Sequence, residues 1–218
     1  MTETVNIVCI LWKGDFRGRD FRDSDVVRLY LNVCEHITIP FEFYCLTNDM
    51  DSDLPASIRK IPLKYDWKGW WAKMELHRPD LPFSGRTLYV DLDTTIVDSL
   101  DRVFDVKGNL VMSRAKSGIA KRENWKIVTR YQAAVMLFTP NSSPNQVMWE
   151  GFMENPDYWI NEYRSEQDLI GEWLPGLVRF PDKWVMKLAK ISKNKSPKGA
   201  IFVTGQPKYF NFRDFVCT

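Results

Sequence analysis

Asp91 and Asp93 are the residues whose type and spacing could most readily do chemistry in this sequence. They follow Leu88-Tyr89-Val90, an apolar and aromatic run that reads as the end of a buried strand. Aspartates two apart occur four times, at Asp23/Asp25, Asp49/Asp51, Asp51/Asp53 and Asp91/Asp93. Only the last pair is delivered by an apolar strand. In an open α/β sheet, ligands bind just beyond the carboxyl ends of strands. A divalent ion that also holds phosphate needs oxygen ligands there and open coordination positions. The pair therefore reads as a metal–diphosphate site, with two aspartates capping the next turn as the bland alternative.

Two enzyme chemistries use such a pair. In the first, the carboxylates hold manganese or magnesium, and the ion neutralises the diphosphate that leaves when a nucleotide-sugar gives up its sugar. In the second, Asp91-Leu92-Asp93-Thr94-Thr95 matches the Asp, any, Asp, any, Thr motif of haloacid-dehalogenase phosphatases, with Asp91 as nucleophile and Asp93 as acid/base. That motif normally lies on an early strand, whereas almost 90 residues precede it here. A late acidic pair to complete the phosphatase magnesium site is not evident after residue 105.

The elements that must position the pair alternate between strand and helix. Val5 to Trp12 is a nearly continuous apolar run, as in a strand buried on both faces. Lys13-Gly14-Asp15-Phe16-Arg17-Gly18 follows as a polar loop with neither Rossmann nor Walker spacing. Ser24 caps a helix whose stripe is Val26, Val27, Leu29, Tyr30 and Val33. Phe41 to Leu46 is a second strand ending in Thr47-Asn48-Asp49, and Ile58 to Leu63 a short third. Trp70 to His77 reads as a helix ended by Pro79; Trp70 and Trp71 point to different faces, so one of them reaches a site. Asn109 to Met112 and Tyr131 to Phe138 are strands, and the basic stretch Ser113 to Lys126 between them reads as a mobile loop. Asn145 to Phe152 and Glu166 to Trp173 are helices, and Ile201 to Val203 is a last strand. This order predicts a single α/β domain over residues 1–218, standing alone or as one domain of a longer polypeptide.

Several of these stretches, in the same order, resemble nucleotide-sugar glycosyltransferases of the GT-A fold, closest to small family-8-like viral and bacterial members. The resemblance runs from Val5 to about Lys208. It implies a Rossmann-like mixed central sheet flanked by helices. It also implies that the end of the first strand, Leu11 and Trp12, touches the base, and that Asp49 contacts base or ribose. Trp70 to Leu76 resembles the helix whose lysine faces the donor; Lys73 lies eighteen residues before Asp91. Leu88 to Thr94 resembles the metal motif, with Asp91 and Asp93 as ligands and Leu92 beside the nucleotide. Ser165-Glu166-Gln167-Asp168 resembles the helix start near the donor sugar, which makes Glu166, Gln167 and Asp168, with Lys73, the catalytic candidates. Gly205-Gln206-Pro207-Lys208 resembles the late loop that grips the diphosphate. The implied function is metal-dependent transfer, with retention, from a UDP-sugar to a glycan or glycoprotein acceptor, with Mn2+ or Mg2+ as cofactor. Relatives usually place a His before the late glycine. Here those positions are Phe202, Val203 and Thr204, which leaves Asp91, Asp93, diphosphate and water on the ion. A sugar- or nucleotide-binding module with little catalysis is the remaining alternative.

Composition fits a globular protein, with 44% apolar and 27% charged residues. The 30 Lys and Arg nearly cancel 28 Asp and Glu, which argues against nucleic acid as a partner. The nine Trp suit flat ligands as well as cores. Cys9, Cys34, Cys45 and Cys217 lack zinc-site spacing, and three of them sit in apolar runs and read as reduced core thiols, so the expected location is the cytoplasm. No apolar run approaches the ~20 residues of a membrane span, and no secretory signal is visible.

Overall fold

The computed structural model describes residues 4–15, 21–122, 125–188 and 198–205, with backbone alone over 116–122. A seven-stranded mixed sheet forms the centre, in the order β3-β2-β1-β4-β7-β6-β8. The strands are β1 (Val5–Leu11), β2 (Phe41–Thr47), β3 (Ile58–Pro62), β4 (Thr87–Val90), β6 (Leu110–Arg122), β7 (Trp125–Phe138) and β8 (Val178–Arg179). β1 pairs in parallel with both β2 and β4, whereas β7 runs antiparallel to β4 and to β6. A small second sheet joins β5 (Thr95–Ile96), β10 (Phe202–Thr204) and β9 (Val185–Lys187).

β1 is buried throughout because its alternate side chains enter two different cores. Ile7, Cys9 and Leu11 pack under α1 (Asp23–His36). Val8 and Ile10 face the opposite layer, which holds a 3₁₀ helix over Gly69–His77. β4 follows the same alternation: Leu88 and Val90 on the α1 side, Tyr89 on the other. The second layer is completed by α2 (Ser143–Glu154), α3 (Pro156–Glu162) and α4 (Glu166–Trp173). α4 can lie close on β7 because Gly171 faces it: a Cβ there would meet the Val128 carbonyl oxygen at 2.7 Å.

The largest departure from the sequence reading is the stretch Ser113 to Lys126, expected as a loop. Its described backbone belongs to the long β6–β7 hairpin, where Gly118 pairs with Thr129 and Arg122 with Trp125. Strands with little apolar content can still form when the ladder supplies the hydrogen bonds that the backbone requires. The helix expected over Trp70 to His77, ended by Pro79, does stop at His77, but it has 3₁₀ rather than α geometry. Cys9 and Cys45 are buried free thiols facing each other in the β1–β2 register, while Cys34 is exposed. Cys217 lies outside the described residues. Among the described residues, no helix is long and apolar enough to cross a membrane.

Candidate functional site

β1 and β4 are adjacent and parallel, so their carboxyl ends open on the same edge of the sheet. A cleft of about 430 Å³ lies there. Trp12 and Phe21 line one part of it; Gly69, Trp70 and Lys73 another; Asp91, Leu92 and Asp93 a third. The sequence thus brings Trp12, Lys73, Leu92, Asp91 and Asp93 to one place from three separate elements. Of the adjacent tryptophans, Trp70 reaches the cleft, while Trp71 stacks on Phe152 of α2 at 5.8 Å between ring centroids. Trp12 can lie flat at the cleft mouth because residue 14 is glycine. A Cβ there would approach the Trp12 ring to 2.3 Å.

The charged heart of the cleft is Lys73. Its ammonium lies 2.9 and 3.1 Å from the two Asp91 oxygens, 3.3 Å from Glu166 Oε1 and 3.3 Å from the Ala133 carbonyl. Burial alone would lower the Lys73 pKa, but the Asp91 and Glu166 carboxylates outweigh it and hold the ammonium above the usual lysine range. The Tyr89 hydroxyl donates to Asp91 Oδ1. Burial, then the Asp91 carboxylate, push that phenol well above its ordinary value. Glu166 is only 2% exposed, and its Oε2 has no hydrogen-bond partner among the described residues. Desolvation raises its pKa against the opposing pull of Lys73. An acceptor oxygen buried without a donor costs stability, and a ligand hydroxyl would relieve that cost.

The other candidates are placed differently. Gln167 Oε1 accepts from the Ala133 N–H at 3.3 Å, so it braces the strand residue whose carbonyl receives Lys73. Asp168 is committed elsewhere. It accepts from the Val128 N–H at 3.0 Å and Ser165 Oγ at 2.8 Å, and pairs with Arg164. Leu11 is fully buried beneath α1 and is not part of the cleft lining. Asp49 stands outside the cleft wall and is held by Lys13 at 2.6 Å, which lowers its pKa. Gly205 ends β10 in the left-handed region, φ 77°. The β5–β10 register pairs Phe202 with Ile96 and Val203 with Thr95, just after the turn that carries Asp91 and Asp93. Lys208 lies outside the described residues.

Among the described residues, no group of three or more His, Cys, Asp and Glu side chains gathers as a metal centre. Two carboxylates on one cleft wall suit a hard divalent ion whose other ligands are phosphate and water. The sequence reading did not single out Tyr89, Phe21, Arg28 or Asn32. Tyr89 had a legible signal, since a residue two before Asp91 on a strand shares its face. Arg28 and Asn32 had none, because their contacts are with backbone far along the chain.

Comparison of the sequence with protein families and with curated proteins finds no match. Solved structures do match in fold. The galactosyltransferase LgtC, in complex with donor and acceptor sugar analogues, aligns with TM-score 0.64 and 13% identity, over 91% of this chain and 86% of LgtC. The glycosyltransferase GlyE of Streptococcus pneumoniae TIGR4 aligns with TM-score 0.62 and 12% identity, over 91% of this chain and 54% of GlyE. The bifunctional glycosyltransferase WbbM gives 0.61 and 10%, over 92% of this chain and 45% of WbbM. The chain thus spans about half the length of GlyE and WbbM. Its mixed sheet with flanking helices is the GT-A glycosyltransferase fold.

Proposed function

We propose that the chain is a nucleotide-sugar glycosyltransferase, and that the cleft at the ends of β1 and β4 binds the donor. The observation that carries this reading is the Lys73–Asp91–Glu166 cluster beside Asp93, buried in a cleft at the carboxyl edge of the parallel strands. Trp12 and Phe21 offer apolar surface for a base, away from the charged groups that suit the diphosphate and sugar. UDP-sugars are the donor class we expect, and a glycan or glycoprotein hydroxyl is the acceptor. LgtC, the neighbour bound to sugar analogues of both kinds, supports a donor and an acceptor.

Asp91 and Asp93 would hold Mn2+ or Mg2+. Bound there, the ion would neutralise charge on the departing diphosphate. Lys73, already cationic, adds positive charge to the same region without needing to gain a proton. Glu166, beside Lys73, would serve the sugar hydroxyls with its second oxygen, which has no partner among the described residues, and Gln167 keeps Ala133 and Lys73 in register through the β7 backbone. Gly205 adopts the left-handed backbone that glycine takes most readily, as a phosphate-approaching turn would need. Retention at the anomeric carbon is the expected stereochemistry, and proton NMR of the product anomer tests it. The phosphatase alternative would need a further acidic pair to complete its magnesium site, and no such group gathers with Asp91 and Asp93 among the described residues.

A thermal-shift screen of UDP-, GDP-, CDP- and dTDP-sugars, with and without Mn2+, tests donor binding, because a ligand of the folded state raises its stability. UDP-sugars with Mn2+ should give the largest shift. Transfer or hydrolysis of the labelled donor should fall by roughly 10²–10³-fold in Asp93→Ala. Phosphomonoester hydrolysis with phosphorylated Asp91 would replace this reading with the phosphatase. Donor binding without turnover on any acceptor would leave a binding module.

A further inference from the structure

We propose that the polar stripe of α1 is a positioning device for the turn that carries Asp91 and Asp93, with Arg28 as its principal lock. The inference rests on the donor-site reading for its consequence, not for its geometry. Val26, Leu29 and Val33 bury one face of α1 against the sheet. Arg28, Asn32 and His36 form a second stripe, each four residues from the last, along one line of the helix. They meet the chain after β4 at three backbone points, again four residues apart. Arg28 Nη2 donates to the Leu92 carbonyl. The Asn32 amide accepts from the Ile96 N–H at 2.6 Å and donates to the Ile96 carbonyl at 3.1 Å. The His36 carbonyl accepts from the Leu100 N–H at 2.8 Å.

The Leu92 contact falls at a mechanically sensitive place. Thr94 N–H donates to the Asp91 carbonyl at 3.0 Å, so residues 91–94 form a β-turn. Its central peptide joins Leu92 to Asp93. Type I and type II turns differ by a flip of that one peptide. Asp93 has no positive φ, as type II would require. By holding the Leu92 carbonyl toward α1, Arg28 fixes the central peptide in the unflipped state. The peptide is trans, so the Asp93 N–H points the other way, away from α1. A flip would reorient the bond that sets where the Asp93 carboxylate starts. Asn32 closes the downstream end. Ile96 turns its N–H and carbonyl away from β10, and the Asn32 side chain takes the place of a missing neighbouring strand.

Arg28 and Asn32 therefore act through the backbone of the turn and touch no ligand. Partners of this kind around metal ligands typically change metal affinity by 10–100-fold. The test uses the whole chain and three variants, Arg28→Met, Arg28→Lys and Asn32→Ala, with two readouts. The first needs no ligand: amide hydrogen exchange in peptides spanning residues 91–98, at matched thermal midpoint. Exchange should accelerate about tenfold or more in Arg28→Met and at Ile96 in Asn32→Ala, with Arg28→Lys closer to the parent. The second is Mn2+ affinity in the presence of UDP, by electron paramagnetic resonance. It should weaken about tenfold in Arg28→Met and recover in part in Arg28→Lys. Parental exchange over residues 91–98 in Arg28→Met and Asn32→Ala would overturn the proposal. So would accelerated exchange with parental Mn2+ affinity. A parent that binds neither Mn2+ nor UDP would overturn the donor-site reading instead, and exchange alone would then judge the lock. If Arg28→Met does not fold, Arg28→Lys against Asn32→Ala carries the same two readouts.

Discussion

One 3₁₀ helix, Gly69–His77, presents two buried charge clusters that are built on opposite principles. With three residues per turn, side chains three apart stack in rows. Trp70 and Lys73 form the row that enters the cleft. Glu75, with Arg78 just after the helix end, faces the chain that leaves β3. Trp71, Met74 and His77 form the row that packs on α2, through Phe152 and Asn145. Glu75, at 0% exposure, is fully served: Lys64 N–H at 2.8 Å, Tyr65 N–H at 3.0 Å and Arg78 at 2.5 Å. Arg78 also donates to the Pro62 carbonyl at 3.0 Å. In the Lys73 cluster, by contrast, one ammonium serves two carboxylates and a carbonyl, and Glu166 Oε2 has no partner among the described residues. A buried carboxylate with both of its oxygens served holds the fold together. Buried charge that is short of partners, in a cleft wall, is arranged for something that arrives.

This contrast breaks first at Glu75. Glu75→Ala leaves the buried Arg78 cation and two backbone N–H groups without their acceptor, and should cost about 3–5 kcal/mol in denaturant unfolding. Donor affinity of the molecules that remain folded should match the parent. A loss of donor affinity at full stability would mean that the two clusters are not separable. His77 gives the next effect. Its Nδ1–H donates to Asn145 at 2.6 Å, and burial lowers its pKa to about 4, the hydrogen bond opposing only in part. Between that value and the ordinary 6.5, the unfolded chain binds more protons than the folded one. Stability present above pH 6.5 is therefore lost as pH falls toward 4, by up to roughly 3 kcal/mol. Stability measured across that range for the parent and for His77→Asn should show the slope only in the parent. The difference between the two removes contributions from carboxylates titrating nearby.

The sequence is legible where burial leaves a period. β1 and β2 are continuous apolar runs, α1 shows a stripe at helical spacing, and α4 begins and ends where Glu166 and Trp173 predict. The Asp91–Asp93 pair stands out because an apolar strand delivers it. β6 and β7 were illegible between Ser113 and Lys126 because few of those residues are apolar, so no alternation marks the strands. The two-residue strands β5 and β8 are too short to leave a period at all. At the site, residue types were readable but not their allegiance. Glu166 and Asp168 stand on the same first turn of α4, both buried. Only the fold shows that Asp168 is consumed by Val128, Ser165 and Arg164, while Glu166 turns to Lys73.

That difference sets the third prediction. Glu166→Gln keeps the size and one acceptor but removes the charge beside Lys73. Transfer from the donor should fall about 10²-fold, with stability within about 1 kcal/mol of the parent, since Lys73 keeps Asp91 as its counter-charge and the amide oxygen as an acceptor. Gln167→Glu, one position along, should act through Ala133 and Lys73 and have the weaker effect on turnover.

The smallest effect tests whether the approach of α4 to the sheet sets Glu166's position. Gly171 is one helical turn and a half beyond Glu166, and nothing in the cleft touches it. Its importance is the 2.7 Å that a Cβ would leave to the Val128 carbonyl. Backbone cannot yield as a flexible side chain does, so Gly171→Ala must lift α4 from β7. Overpacking of this kind costs about 1–3 kcal/mol. The lift also draws Glu166 from Lys73, so turnover should fall more than donor affinity does, because the nucleotide end of the cleft belongs to β1 and β4. A variant that loses stability but keeps parental turnover would show that Lys73 and Asp91, rather than α4, fix the cluster.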